Sequence, residues 1–271
     1  MPQRESITIA GDYGRVSIFP VRKIAHGHRR SKAKPTSEVQ EKLNEKNRQN
    51  HFADLVHANF ASGDYFMRLS YRDDRLPENA EGAQKAIQNY FRRVKSRCKK
   101  LGLSAPKYLY VTEKGAAGGR YHHHAFVACE LSRDELERIW GNGYANTRRI
   151  EYNENGAEGL VRYSLKSGVH RQEEESEKVG YRTYSGSKNL VQPEHRQNDY
   201  RIRSKDAAYI DEHPDDLDYV QRLYPGWIVT RVEPTSRSGI DITESTPIPR
   251  AHFITIWMYR ADTKLFGRRR N

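Results

Sequence analysis

The stretch YLYVTEKGAAGGRYHHHAFVAC, residues 108–129, decides the fold that we predict. Residues 108–113 and 121–129 have the composition of strands, and the Gly-rich segment 114–120 between them is typical of a turn. Two strands joined by a short turn pair as an antiparallel hairpin. The sequence therefore predicts a β-hairpin whose second strand carries three consecutive histidines, at positions 122–124.

Further predicted elements flank this hairpin on both sides. A strand over 64–71 and a helix opened by Pro77 precede it, and a helix capped by Ser132 and a strand over 144–152 follow it. The resulting β-α-β-β-α-β order predicts an α+β fold, an antiparallel sheet of ferredoxin-like or RRM-like topology with helices on one face. A third helix, over 156–168, comes next along the chain.

The core has extensions at both ends. We assign residues 1–60 to a basic N-terminal arm and helix, 61–200 to the core, and 201–271 to a small C-terminal α/β extension. Residues 1–21 alternate weakly and predict a short hairpin, and strands are predicted over 227–234 and 252–259.

Composition points to a polyanionic partner. The chain has 271 residues, a formal net charge of +12 and 17 tyrosines that could stack on bases, with a pI near 9.6 and a mean hydropathy of −0.95. Nucleic acid is the commonest partner of such a protein, although a merely solvated basic surface is the alternative.

Cys98 and Cys129 are expected to be small buried hydrophobes in a reducing compartment. Neither a signal peptide nor an apolar run of membrane-spanning length is evident, so we expect a cytosolic protein.

The three histidines predict a metal site. Side chains alternate along a strand, so His122 and His124 share one face while His123 points to the other. If the hairpin pairs Glu113 with His122, Glu113 also faces the two histidines, whereas a shift of one residue would turn it away. Two imidazoles and a carboxylate would leave coordination positions open, as a catalytic metal requires. The alternatives are a purification tag, which an internal strand position argues against, and histidines that only stabilise the core.

A candidate nucleophile follows on the helix over 156–168. Tyr163 and Lys166 are one turn apart and share a face. A nearby cation on a phosphate, together with the lysine, would favour the phenolate and allow attack on phosphorus. From spacing alone, a core tyrosine with a solvated lysine is an equal alternative, and only the histidine strand favours the catalytic interpretation.

In combination, these motifs resemble the HUH endonucleases, specifically the single-tyrosine rolling-circle replication initiators of phages and plasmids. FMRLSY (66–71) is similar to the first family motif, HHH (122–124) to the histidine–hydrophobic–histidine motif, and YSLK (163–166) to the Tyr-x-x-Lys motif. Glu113 stands where related initiators carry a metal-binding acid, and SGSKNL (185–190) also resembles a segment of phage initiators.

The resemblance implies an activity and its partners. It implies nicking and rejoining of single-stranded or hairpin origin DNA, dependent on Mg²⁺ or Mn²⁺, with Tyr163 joined to the 5′ phosphate and Lys166 assisting. A host polymerase and helicase in the bacterial cytoplasm would then act on the nicked DNA. We expect no nucleotide cofactor, because no phosphate-binding Gly-x-x-x-x-Gly-Lys-Ser/Thr motif is found. No second tyrosine stands four residues from Tyr163, and His123 occupies a position that is aliphatic in the family.

The resemblance also suggests DNA contacts and leaves alternatives. The residues that we predict to contact DNA are Arg68, Tyr71, Arg120, Arg182, Lys188 and Asn189. A mobilisation relaxase or a transposase would use the same chemistry, although relaxases usually carry a wider cluster of three histidines. A nucleic-acid-binding module without catalysis is the alternative from another class. A structural zinc protein is disfavoured because no cysteine pairs accompany the histidines.

Overall fold

The computed structural model describes residues 2–21, 38–115, 119–165, 184–234 and 252–262. These residues form a mixed α+β protein with two antiparallel five-stranded sheets, which confirms the predicted class. The chain divides into two compact units. One comprises residues 1–54 and 192–263, and the other comprises 55–191 and 264–271.

The second unit contains the predicted β-α-β-β-α-β core. Its elements are β3 (Tyr65–Ser70), α2 (Ala80–Lys100), β4 (Lys107–Lys114), β5 (Tyr121–Ala128), α3 (Arg133–Trp140), β6 (Ala145–Arg149), α4 (Glu158–Leu165) and β7 (Tyr184–Gly186). The strand order is β6-β3-β5-β4-β7. The first four strands therefore have the ferredoxin-like arrangement, and the short β7 extends the sheet at the free edge of β4.

Local sequence explains the two helices that pack on this sheet. The Asn79 side chain accepts a hydrogen bond from the Gly82 N–H, so α2 begins at Ala80 rather than at the predicted Pro77. The predicted Ser132 cap is confirmed, because its hydroxyl accepts from the Glu135 N–H at the start of α3. The apolar faces of α2 and α3 meet the β3 side chains of one sheet face in a single core. That core includes Tyr65, Met67, Leu69, Ile87, Phe91, Val94, Leu136 and Trp140.

The opposite face of the same sheet carries both apolar and charged side chains. Phe66 and Phe126 face each other across β3 and β5, with ring centroids 5.1 Å apart. Phe60, which follows α1 (Glu38–Asn59), lies 5.8 Å from Phe126. Glu113, His122, His124 and α4 lie on this face.

The first unit is built from two segments that are distant in sequence. Its elements are β1 (Gln3–Ala10), β2 (Tyr13–Pro20), β8 (Glu194–Asn198), α5 (Ser204–Glu212), α6 (Leu217–Leu223), β9 (Trp227–Pro234) and β10 (Ile254–Arg260). The strand order of its sheet is β8-β1-β2-β10-β9, and its core lies between that sheet and α5 and α6. The predicted N-terminal hairpin is confirmed, since Ala10 pairs with Tyr13. Strand β10 pairs with β2 on one side and β9 on the other. The predicted domain boundaries at 60 and 200 stay a prediction.

Some sequence predictions fall on residues that the structure does not describe. Lys166, Arg182 and the basic arm within 22–34 lie outside the described ranges, as do residues 166–168 of the predicted third helix. Among the helices that are described, none combines the length and the apolar character that a membrane crossing requires.

Candidate active site

The register of the β4–β5 hairpin meets the condition set by the sequence. Glu113 pairs with His122, and Val111 pairs with His124. Residues directly opposite each other in an antiparallel pair point to the same face. Glu113, His122 and His124 therefore project together from one face, and His123 projects from the other.

The three side chains converge. The Nε2 atoms of His122 and His124 lie 3.3 Å and 3.4 Å from the same oxygen, Oε2 of Glu113. One ligand atom from each residue can be chosen so that all lie within 4.8 Å of one another. Glu113 and His124 are buried, whereas His122 is partly exposed. The cluster is thus open to solvent on the His122 side.

The chemistry of this cluster fits a divalent cation. The Nε2–Oε2 distances of 3.3 Å and 3.4 Å are longer than the usual 2.7–3.2 Å of a hydrogen bond. A buried carboxylate is costly unless a cation or hydrogen bonds compensate its charge. Within the described residues, the Nδ1 atom of His124 has no hydrogen-bond partner. Two imidazoles and one carboxylate suit several divalent metals, and the buried Glu-His-His group could bind one of them.

His123 contributes to the core instead. Its ring is completely buried, with Nε2 at 2.6 Å from the Tyr71 hydroxyl and Nδ1 at 2.9 Å from the Thr112 hydroxyl. Burial, with a smaller effect from the neighbouring imidazoles, lowers the pKa of His123 to about 3. The ring is therefore neutral at physiological pH, and each of its two nitrogens forms a hydrogen bond.

Tyr163 lies beside the cluster on α4. Its ring centroid is 4.9 Å from that of His124 and 6.3 Å from that of Phe66. The residue is 44% exposed, so the phenol is accessible from solvent while its ring packs against a predicted metal ligand. The structure thus brings Tyr163 together with Glu113, His122 and His124.

A histidine from another helix fixes the start of α4. The Nε2 atom of His57, on α1, accepts a hydrogen bond from the Ala157 N–H at 3.1 Å. Burial lowers the pKa of His57 to about 4, so the ring is neutral and can accept this bond. Gly156 has a positive φ of 67°, and a Cβ there would lie 2.4 Å from the same nitrogen. Glycine is therefore required for His57 to approach the helix terminus.

The predicted DNA-contacting residues are spread over several places. Arg68 is exposed and lies opposite His124 across β3 and β5, so it projects from the face of the cluster. Arg120 forms an ion pair with Asp73 at 2.5 Å. Tyr71 is only 3% exposed and lies in the core with His123. Lys188 and Asn189 are exposed beyond β7, and the Asn189 amide donates to the Ala105 carbonyl at 3.3 Å.

Sequence reasoning missed two residues near the cluster. Arg148 pairs with Phe66 in the β3–β6 register, and its guanidinium lies 5.2 Å from the Phe66 ring on the cluster's face. Alternation on β6 separates Arg148 from Arg149, but only the register shows which arginine faces the cluster. His57 gave no signal, because its contact with Ala157 joins residues 100 positions apart.

Comparisons with known proteins bear on the same segment. No curated protein matches the chain. Among solved structures, the hypothetical protein ORF119 from Sulfolobus islandicus rod-shaped virus 1 is similar over 48% of this chain and 97% of that chain, with 11% identity and a TM-score of 0.31. Residues 64–168 match the family model of the Replication-associated protein ORF2/G2P. This span runs from β3 to α4 and includes Glu113, both clustered histidines and Tyr163, and the match is consistent with a replication initiator.

Proposed function

We propose that the protein is a rolling-circle replication initiator that nicks and rejoins single-stranded origin DNA through a covalent bond to Tyr163. The observation that carries this proposal is the 4.9 Å packing of the Tyr163 ring against His124 of the Glu-His-His cluster. It lies within the segment that matches a replication-associated family. Residues 61–200 would form the nuclease core.

The reaction is a transesterification and needs no external energy source. The Tyr163 hydroxyl oxygen attacks the phosphorus, a bond from this oxygen to phosphorus forms, and the bond from phosphorus to the 3′ oxygen breaks. The phenol proton is lost to solvent, and the departing 3′ oxygen takes up a proton to become a free hydroxyl. The 5′ phosphate stays on the tyrosine, so the reverse attack by a 3′ hydroxyl rejoins the strand.

Each side chain of the site has a role in this scheme. Glu113, His122 and His124 would hold Mg²⁺ or Mn²⁺. The bound cation would neutralise charge on the scissile phosphate. Lys166 would stabilise the negative charge that develops during attack. The packing of Tyr163 against His124, and the bond from Ala157 to His57 at the start of α4, would keep the Tyr163 hydroxyl next to the bound phosphate.

Partners follow from the same proposal. Single-stranded DNA or an extruded hairpin would enter over the cluster's face, where Arg68 and Arg148 offer exposed positive charge to phosphates. Arg120, Arg182, Lys188 and Asn189 would make further contacts, whereas the burial of Tyr71 suits a role in supporting the site. A free 3′ hydroxyl would serve a host polymerase, with a helicase, in the bacterial cytoplasm.

The decisive experiment is trapping of the covalent adduct. The protein is incubated with a pool of random single-stranded DNA and Mn²⁺, and DNA that stays attached through SDS is sequenced. Wild-type protein should form the adduct, and Tyr163→Phe should abolish it while DNA binding persists. Tyr144→Phe is the matched control, because Tyr144 is also exposed and lies in the same unit.

The outcomes separate the candidate functions. An adduct that survives in Tyr163→Phe would remove this residue from its role. DNA binding without any adduct in the wild type would favour the non-catalytic module. A relaxase or transposase would also form the adduct, and the sequence of the attached DNA would distinguish it from an initiator.

A further inference from the structure

Helix α2 carries an unusual concentration of positive charge on the side of the sheet away from the cluster. From residue 84 to residue 100 it contains seven lysines or arginines and no acidic residue. The helix packs on the face that presents Met67 and Leu69, whereas Glu113 and His124 project from the opposite face. Its surface is therefore separate from the candidate active site.

Six of the seven cations of α2 fall into two groups, and the seventh, Lys100, ends the helix. Arg93 donates to the carbonyls of Ile139 and Trp140 at the end of α3, at 3.0 Å and 2.9 Å, and Arg97 pairs with Glu135 at 2.8 Å. These two arginines join α2 to α3. The second group, here called the basic stripe, consists of the exposed side chains of Lys85, Arg92, Lys95 and Lys99.

The basic stripe is a row of like charges along α2. Its members are spaced by seven, three and four residues, which places them along one side of the helix. None of the four forms an ion pair with another described residue. Arg92 and Lys95, and Lys95 and Lys99, are like charges at helical neighbour positions and so oppose helix formation. A favourable interaction with the helix dipole accounts for cations in the last turn, such as Lys99, but not for Lys85, Arg92 or Lys95.

Two features of the basic stripe favour duplex DNA over single-stranded DNA as its ligand. The aromatic residues of α2, Tyr90 and Phe91, are both buried, so its exposed side offers no ring on which an unpaired base could stack. From Lys85 to Lys99 the helix rises about 21 Å, and duplex DNA presents roughly one phosphate charge per 1.7 Å along its axis. A straight row of cations without aromatic rings matches a duplex backbone better than a single strand.

We propose that the basic stripe binds the phosphate backbone of duplex DNA. The inference rests on the proposed function and extends it. The sheet face that carries the Glu-His-His cluster would bind the single strand to be cut, while α2 would bind the double-stranded DNA that flanks this strand. The stripe would hold the origin without reading its sequence.

Salt dependence of DNA binding tests the proposal. The variant Lys85→Gln/Arg92→Gln/Lys95→Gln is compared with the full-length wild-type chain on a short duplex of arbitrary sequence, with EDTA present to prevent cleavage. Each phosphate contact contributes about 0.9 to the slope of log K against log salt. Loss of three contacts should reduce that slope by about 2.7 and weaken binding of the duplex more than that of a single strand. Glutamine has nearly the helix propensity of lysine and arginine, so α2 should remain folded, and the urea midpoint checks this.

A control of equal charge separates local contact from net charge. Lys42→Gln/Lys46→Gln/Lys205→Gln removes three other exposed cations and should leave the slope unchanged. The proposal would be overturned if the slope were unchanged in the α2 variant, or if the two variants reduced the slope equally. An unchanged slope in the α2 variant would favour an acidic protein as the partner of α2. Adduct formation on a short single strand should persist in the α2 variant. Failure of the wild type to form any adduct would instead count against the proposed function.

Discussion

Replacement of His123 with leucine tests whether the middle histidine stabilises the fold without holding the cation. The His123 ring is buried between the hydroxyls of Tyr71 and Thr112, at 2.6 Å and 2.9 Å. Leucine fills a similar volume but gives neither hydroxyl a partner. Thr112 keeps a contact with Gln84 at 3.3 Å, and the Tyr71 hydroxyl keeps only a long one with the Ala83 carbonyl at 3.5 Å, so the main loss is the short bond from Tyr71. A buried hydroxyl that loses its partner costs about 1–3 kcal/mol, and we expect the free energy of unfolding to fall by about 2 kcal/mol.

The assay is urea unfolding with EDTA and with saturating Mn²⁺. A ligand present at 100 times its dissociation constant stabilises the native state by about 2.7 kcal/mol. His123→Leu should keep this Mn²⁺-dependent increment despite its lower stability, whereas His124→Ala should lose the increment. Because Tyr71→Phe removes the hydroxyl itself, the double variant with His123→Leu should cost less than the sum of the single variants. Loss of the increment in His123→Leu together with its retention in His124→Ala would refute the assignment of the two faces.

Other perturbations test the cluster and the anchoring of α4. EDTA should stop cleavage, and Mn²⁺ should restore it. His122→Ala should remain inactive at Mn²⁺ concentrations that restore the wild type. Full activity of this variant would argue against His122 as a metal ligand. Because burial lowers the pKa of His57 to about 4 from an ordinary value of 6.5, the unfolded chain takes up a proton first, and stability should decrease as pH falls from 6.5 towards 4. In EDTA, His57→Gln should reduce this dependence by about 1.4 kcal/mol per pH unit within that window, and an unchanged dependence would show that His57 is not neutral in the native state. Gly156→Ala should destabilise the protein by at least about 1–3 kcal/mol and slow adduct formation, because its Cβ would lie 2.4 Å from His57 Nε2 in a strained backbone. In the control Gly159→Ala, the added Cβ would have no neighbour within 4 Å, and the alanine should stabilise α4 by about 0.5–1 kcal/mol. Equal effects of the two substitutions on the free energy of unfolding would contradict the contact of His57 with the start of α4.

The elements around the hairpin were predictable because their signals are local. Turn composition, strand alternation and the Ser132 cap each depend on residues that are close in sequence. The same alternation put His122 and His124 on one face, and the register of Glu113 with His122 then met the stated condition. The predicted start of α2 was wrong by three residues, because the Asn79 cap decides the boundary.

The sequence by itself determined the order of the central elements, the type of each, and that His122 and His124 share one face of their strand. Tertiary structure decided the rest. It decided that β2 pairs with β10 from the other end of the chain, that Arg148 rather than Arg149 faces the cluster, and that His57 holds the start of the helix that carries Tyr163. The physical reason is that periodicity records which side of an element is buried, whereas the partner of that side is set by packing between segments that are distant in sequence.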